Sequence, residues 1–313
     1  MTGERTVGER TVGERTMGER TMGERTMGER TMGDRTMGER ALSLLIPALP
    51  ASRITALRTI IYAFVIVDVF LIANDVPSHA TNAVFYEPLL LARILHLPAV
   101  TTPIAYGLLA VIVVSCLVGV SGRFPRISGT VVAVVFTIWM LYSQGYGYVS
   151  HDHLALMIAV WVLPTVPSRG WHDDTPSEAA GWALRCIQLA VVATYFLSVL
   201  TKWIYSGSPI AWANSAILAW AVIRRGSPFV QWTLEVPWIF VPAQWAALAM
   251  ETLSPVVLFL KGKALYLAVA VFVLFHLTTF IALGIHFLPT VICWAAFLPI
   301  ERLRELPARL RRA

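Results

Sequence analysis

Long apolar runs, cut by short polar and basic groups, fill the chain from residue 56 onward. Eight are distinguishable, at 56–74, 103–121, 127–144, 153–167, 182–202, 240–260, 264–284 and 286–300. They are apolar on every side rather than along one stripe, which is the pattern of a helix in a large core or in lipid. At ~1.5 Å of rise per residue, most of them reach across the ~30 Å of a bilayer's hydrocarbon. The runs at 153–167 and 286–300 are shorter. The pattern predicts an all-α fold, a polytopic transmembrane helix bundle of about eight spans.

Residues 1–40 follow a different rule. They form eight pentads of the T-x-G-E-R type, with TVGER and TMGER variants and one TMGDR. A period of five matches neither a helix nor a strand, and a glycine in each pentad opposes a helix. Eight arginines balance eight acids, and the repeat has no apolar face to bury. It therefore reads as a disordered tail, 1–40, ahead of a membrane domain, 41–313. Met17, Met22, Met27, Met32 and Met37 each offer a further possible start of translation. The polar beginning does not read as a cleavable signal peptide.

Composition strengthens the membrane assignment. Apolar side chains make up 57% of the 313 residues and charged ones only 14%, against about 45–50% and about 25% in soluble domains. That balance excludes a disordered protein, a nucleic-acid binder and an ordinary cytosolic enzyme. Three cysteines, each within an apolar stretch, are too few for a disulfide framework. The net charge of +6 lies wholly outside the tail, in short groups between runs. Arg53 and Arg58 stand at the start of the first run, and Arg123 and Arg126 lie between the second and third. Arg169 follows the fourth, Lys261 and Lys263 separate the sixth and seventh, and five arginines close the chain. With eight spans all of these share one side, so both termini are expected in the cytoplasm of a cell-membrane protein. Residues 75–102 and 203–239 then form long outer loops. The second carries five tryptophans, and 210–223 reads as a helix on the outer surface, although interfacial anchoring by tryptophan accounts for it equally well.

Ionisable groups inside the runs are the candidate chemistry, because charge in a bilayer is costly. Asp68 lies about 15 Å along the first run from Arg58. Glu251 lies in the inner half of the sixth run, and His276 in the outer half of the seventh. His151, Asp152 and His153 open the fourth, and Lys202 closes the fifth. Gln188, Tyr195 and Lys202 recur every seven residues, with Ser198 beside them, on one helix face that must look inward. For Gln188 and Ser198, hydrogen bonds that join helices explain the placement. Lys202 has two readings, a lysine snorkelling at a helix end or a functional group on the side where positive charge is disfavoured. His151 and His153 point apart on a helix and have no evident third ligand, so no metal is expected. No nucleotide-binding or serine-hydrolase motif occurs.

The run Tyr195-Phe-Leu-Ser-Val-Leu-Thr-Lys202-Trp resembles the signature helix of the vitamin K-dependent gamma-carboxylase-like group, known in bacteria as the HTTM (horizontally transferred transmembrane) domain. Trp212 occupies the neighbourhood of the tryptophan that follows in that group. Ser150-His151-Asp152-His153-Leu154 is similar to its N-H-x-x-L run. Met250-Glu251 leading to Lys261 and Lys263 resembles a later E…P…basic stretch, and Phe275-His276 followed by Leu283-Gly-Ile-His-Phe287 resembles its F-H…G-x-F span. The resemblance covers roughly 53–300. It departs at Ser198-Val199, where the group has A-G, and the large extramembrane domain of the animal enzyme has no counterpart here. The resemblance implies that Lys202 deprotonates a reduced, vitamin K-like quinone with His151 assisting, and that O₂ turns the anion into a base that drives carboxylation of glutamate in an exported peptide. Tyr195, His276, Asp68, Asp152, His153 and Glu251 would line the pocket. A neutral, desolvated lysine suits such a proton transfer. Two readings stand beside the enzyme: a non-enzymatic membrane partner in the maturation or export of a neighbouring protein, and a permease. The permease ranks last because the halves show no repeat.

Overall fold

The computed structural model describes residues 45–167 and 169–305. The expectations for residues 1–40 lie outside the described residues.

The described chain is mostly helical. Its principal helices are α1 (Ala51–Leu71), α2 (Thr102–Val120), α3 (Pro125–Ser143), α4 (Leu154–Val162) and α5 (Glu178–Ser206). Then follow α6 (Ala216–Arg225), α7 (Phe240–Leu253), α8 (Gly262–Leu283) and α9 (Leu288–Cys293). Five of them, α1, α2, α3, α5 and α8, are long and apolar enough to cross a membrane, so the chain is a membrane protein with five such helices among the described residues. The expected count of eight is not reproduced. The run at 153–167 yields only α4 and a 3₁₀ turn, Leu163–Thr165. The run at 240–260 becomes α7 followed by a 3₁₀ stretch, Ser254–Phe259. The last run is α9 and a further 3₁₀ turn, Trp294–Phe297. Pro164, Pro255 and Pro289 lie in these three regions. Proline lacks the N–H for an i→i−4 bond and crowds the preceding turn, so a continuous helix stops before Pro164 and Pro255, while Pro289 is accommodated in the first turn of α9.

α1 is the central helix. Ile54, Leu57, Ile61, Tyr62 and Val65 are fully enclosed. In α2 and α8 only 22% and 17% of the most apolar stretch is buried, against 56% in α1. Those two helices therefore offer their apolar sides to lipid. Tyr62 is wedged where α1 meets α2 and α3. A Cβ on Gly119 would sit 2.5 Å from its ring, and one on Gly129 2.5 Å from its hydroxyl, so glycine is required at both close approaches.

A two-residue antiparallel ladder joins the starts of α1 and α5. β1 (Leu49–Pro50) pairs with β2 (Pro176–Ser177), Leu49 opposite Ser177. The first amides of α1, which no helix can satisfy internally, are taken by the same loop. Ala51 N–H donates to Thr175 O at 3.1 Å and Ser52 N–H to Asp173 O at 2.7 Å. Arg53 makes a forked ion pair with Glu301, at 2.7 and 2.8 Å. These contacts gather Arg53, Arg169, Asp174 and Arg304 at one end of the bundle, called here the basic end.

Candidate functional site

At the other end, the last turns of α5 and α8 and the start of α7 meet under α6. Ser227 N–H donates to Ala282 O at 2.8 Å and fastens the α6 region to α8. Together they enclose a cavity of about 490 Å³, lined by Lys202, Glu251, Gln244, Trp212, Phe275 and Thr279 among mainly apolar side chains.

Lys202 pairs with Glu251, and its ammonium lies over the Trp212 ring, 4.7 Å from the centroid. The pair fixes the direction of the lysine. Ser254 Oγ donates to Val192 O at 3.4 Å. Lys202 lies ten residues beyond Val192, about 15 Å along α5, while Glu251 lies only about 4.5 Å from Ser254 along its own helix. Lys202 must therefore reach back down α5 to meet the carboxylate, the direction in which helical side chains lean. Snorkelling outward would require the opposite direction. Gln244 is 2% exposed. Its amide nitrogen donates to Trp212 O at 3.0 Å, while Oε1 is buried with no partner among the described residues.

The remaining expected residues form two further clusters that do not line this cavity. In the first, the Tyr195 hydroxyl lies 2.5 Å from His276 Nε2 and accepts from Trp294 Nε1 at 3.1 Å. His276 Nδ1 is buried and has no hydrogen-bond partner among the described residues. Phe272 stacks on Trp294 and closes the cluster, with centroids 4.6 Å apart.

In the second cluster, His153 is held between two carboxylates. Nδ1 is 3.0 Å from Asp152 Oδ1, and Nε2 is 3.1 and 3.2 Å from the two oxygens of Asp68. Asp68 is fully buried and His153 is 3% exposed. Ser150 donates to Asp152, and Thr290 Oγ1 fixes the Asp152 carbonyl at 2.6 Å. The 3₁₀ turn His151–His153 turns His151 away from this group. His151 is exposed and touches Phe287, with centroids 5.9 Å apart. Phe287 in turn lies 4.9 Å from the His276 ring.

Thus one expected pocket is resolved into three neighbouring groups. Lys202 has Glu251 as its partner, not His151, and the cavity is lined by neither His151, Tyr195 nor His276. His153, expected to line the same pocket as Lys202, is the most enclosed of the histidines and does not line the cavity. Gln188 follows the structural reading, donating to Ala296 O at 2.9 Å. Gln244, Thr290 and Trp294 were missed. They are neutral side chains in apolar runs, and only the polar atom in an otherwise apolar helix could have marked Gln244. Among the described residues, no group of three His, Cys, Asp or Glu side chains is placed to hold a metal ion. Compared with family models, with curated proteins and with solved structures, the chain matches none.

Proposed function

We propose that the chain is an HTTM-type, gamma-carboxylase-like membrane protein that binds a lipid-soluble quinol in the cavity headed by Lys202 and Glu251. The observation that carries this is Gln244 Oε1, a buried acceptor without a partner among the described residues, in an apolar cavity that also holds an ion pair. An orphaned carbonyl asks for a ligand with a hydroxyl to donate, since a buried acceptor left unpaired costs about 1–3 kcal/mol. A cavity of about 490 Å³ lies within the range of ligand pockets, ~300–1,000 Å³. Ile217, on its wall, is 47% exposed, consistent with entry from the lipid side.

A quinol bound there supplies an ionisable phenolic hydroxyl and two reducing equivalents. The carboxylate of Glu251 accepts a proton, and the Lys202 ammonium remains to balance negative charge at the cavity wall. Because Lys202 is already paired, the proton acceptor is the Lys202–Glu251 pair rather than a neutral lysine alone. Trp212 covers the pair and limits access of water. Carboxylation of an exported peptide rests on the family resemblance and is the further step proposed for this site.

Lipid extraction of the purified protein, followed by mass analysis, tests the cavity. Near-stoichiometric quinone is expected in the natural chain. Gln244→Leu should lower it about tenfold, the loss of one hydrogen bond to a buried polar group, and Ala247→Trp should abolish it by filling the space. Absence of quinone from the natural chain would remove this reading and favour a non-enzymatic membrane partner. We also place the three shorter helical regions as membrane crossings, which puts both termini in the cytoplasm. A cysteine at Gly262 should then react only with cytoplasmic reagents, and labelling from outside alone would overturn that orientation.

A further inference from the structure

The basic end holds a second cavity, of about 360 Å³, between the first turns of α1, the α2–α3 turn and residues 169–171. Arg58 and Arg169 line it, with Thr59, Ser121, Gly122 and Trp171.

Arg58 is 2% exposed. One terminal nitrogen donates to Leu163 O at 3.1 Å and to Val166 O at 3.0 Å. A guanidinium has five N–H donors, and Nε is buried with no partner among the described residues. The Tyr62 hydroxyl lies beside the guanidinium, within reach of it, but a phenol supplies no negative charge. No carboxylate within the described residues pairs with Arg58. The nearby acids are engaged with other groups, Asp173 with the cavity's own Arg169. Thr175 holds the Asp173 carboxyl below its usual range, and Asp173 lies 3.7 Å from Arg169. Ser52 and then Arg304 do the same for Asp174. The two carbonyls bound by Arg58 follow α4, where a cation is favourable, but they carry no net negative charge. A buried cation without a counter-ion is costly, and here it borders a cavity with a second cation, Arg169, across it.

We infer that this cavity binds a phosphate group, with the buried Arg58 guanidinium neutralising it and Arg169 closing on it from the exposed loop. Arginine is the residue suited to phosphate, because its planar fork matches two oxygens at once. A cavity of about 360 Å³, towards the small end of ligand sites (~300–1,000 Å³), suits a phosphate monoester or diester rather than a large ligand. The hydroxyls of Thr55, Thr59 and Ser121 donate to backbone carbonyls, so the two guanidinium groups are the cationic donors of the site. The phosphate has two possible sources: a soluble phosphate ester, or the headgroup of an anionic phospholipid at the membrane surface.

The test uses the full chain in detergent and in lipid nanodiscs. Thermal unfolding is followed against inorganic phosphate and glycerol phosphate, with sodium chloride at equal ionic strength as the screening control. Native mass spectrometry of protein released from phosphatidylglycerol or phosphatidylcholine nanodiscs reads retained lipid. A soluble ligand predicts a saturable rise in Tm with phosphate but not with chloride. A lipid ligand predicts one retained phosphatidylglycerol and no response to inorganic phosphate. In either case Arg169→Gln, on an exposed loop, should weaken binding about tenfold, as expected for loss of one charge-assisted contact. Arg123→Gln, at the same end but off the cavity, should leave it unchanged. Arg58→Gln should remove binding, and if that variant does not fold, Arg169→Gln decides alone. Equal responses to phosphate and chloride with no retained lipid, or an Arg169→Gln protein that binds like the natural chain, would overturn the proposal.

Discussion

Lys202 and Arg58 both stand in a cavity wall, at opposite ends of the bundle, and their charges meet different surroundings. Lys202 has a carboxylate, Glu251, and an aromatic face, Trp212, inside otherwise apolar walls. Arg58 has two neutral carbonyls and a cavity bordered by hydroxyls, glycines and a second arginine. The first site is electrically closed, with one neutral acceptor, Gln244, left over. In the second, Arg169 has Asp173 at 3.7 Å, but among the described residues Arg58 has no carboxylate and its charge is open. The difference teaches what each can take: a neutral amphipathic ligand at the closed pair, an anion at the open cation. The cost of burying charge makes the two occupants non-interchangeable.

That contrast can be broken first at the closed pair. Glu251→Leu leaves Lys202 without its counter-ion, and stability should fall by about 3 kcal/mol, as for other broken buried pairs. The double variant Lys202→Met/Glu251→Leu should recover most of that loss. Equilibrium unfolding in detergent reads both, and a single variant as stable as the natural chain would show that the pair does not hold α5 to α7. At the open end, Gly119→Ala changes no charge but drives a Cβ to within 2.5 Å of the Tyr62 ring. Overpacking of this kind should cost about 1–3 kcal/mol while bound quinone stays constant. A parallel loss of quinone would mean that the two ends are coupled. The smallest effect is expected from Trp212→Leu, which removes the aromatic face under Lys202. It should cost about 0.5–1 kcal/mol of stability, seen as a small Tm decrease, with no change in the phosphate response.

Much of this organisation was legible along the chain. The all-round apolar runs marked every helix that is long enough to cross a bilayer, because their length and hydropathy are local properties. The heptad stripe of α5 was equally legible: Gln188, Tyr195 and Lys202 each find a partner on another segment, as residues forced inward by a helical period must. The breaks were less visible. Apolar content at 153–167, 240–260 and 286–300 concealed Pro164, Pro255 and Pro289, each of which lies in a 3₁₀ or short helical segment.

Partner choice was not legible at all. His151 and His153 differ by two positions in one polar tripeptide, and only the 3₁₀ turn beneath them sends one to the surface and the other between Asp68 and Asp152. Arg58 reads as a topology signal among other arginines, although it falls inside the run at 56–74. Its burial, and the lack of a carboxylate beside it, depend on where α2, α3 and the 169–174 loop pack. The sequence by itself determined the solvent of this protein, its helical segments and the face of α5 that turns inward, since each follows from composition and from a period within one segment. Only the tertiary structure decided which charges meet, because the decisive contacts join residues 49 to 108 positions apart and no local pattern encodes the packing that brings them together.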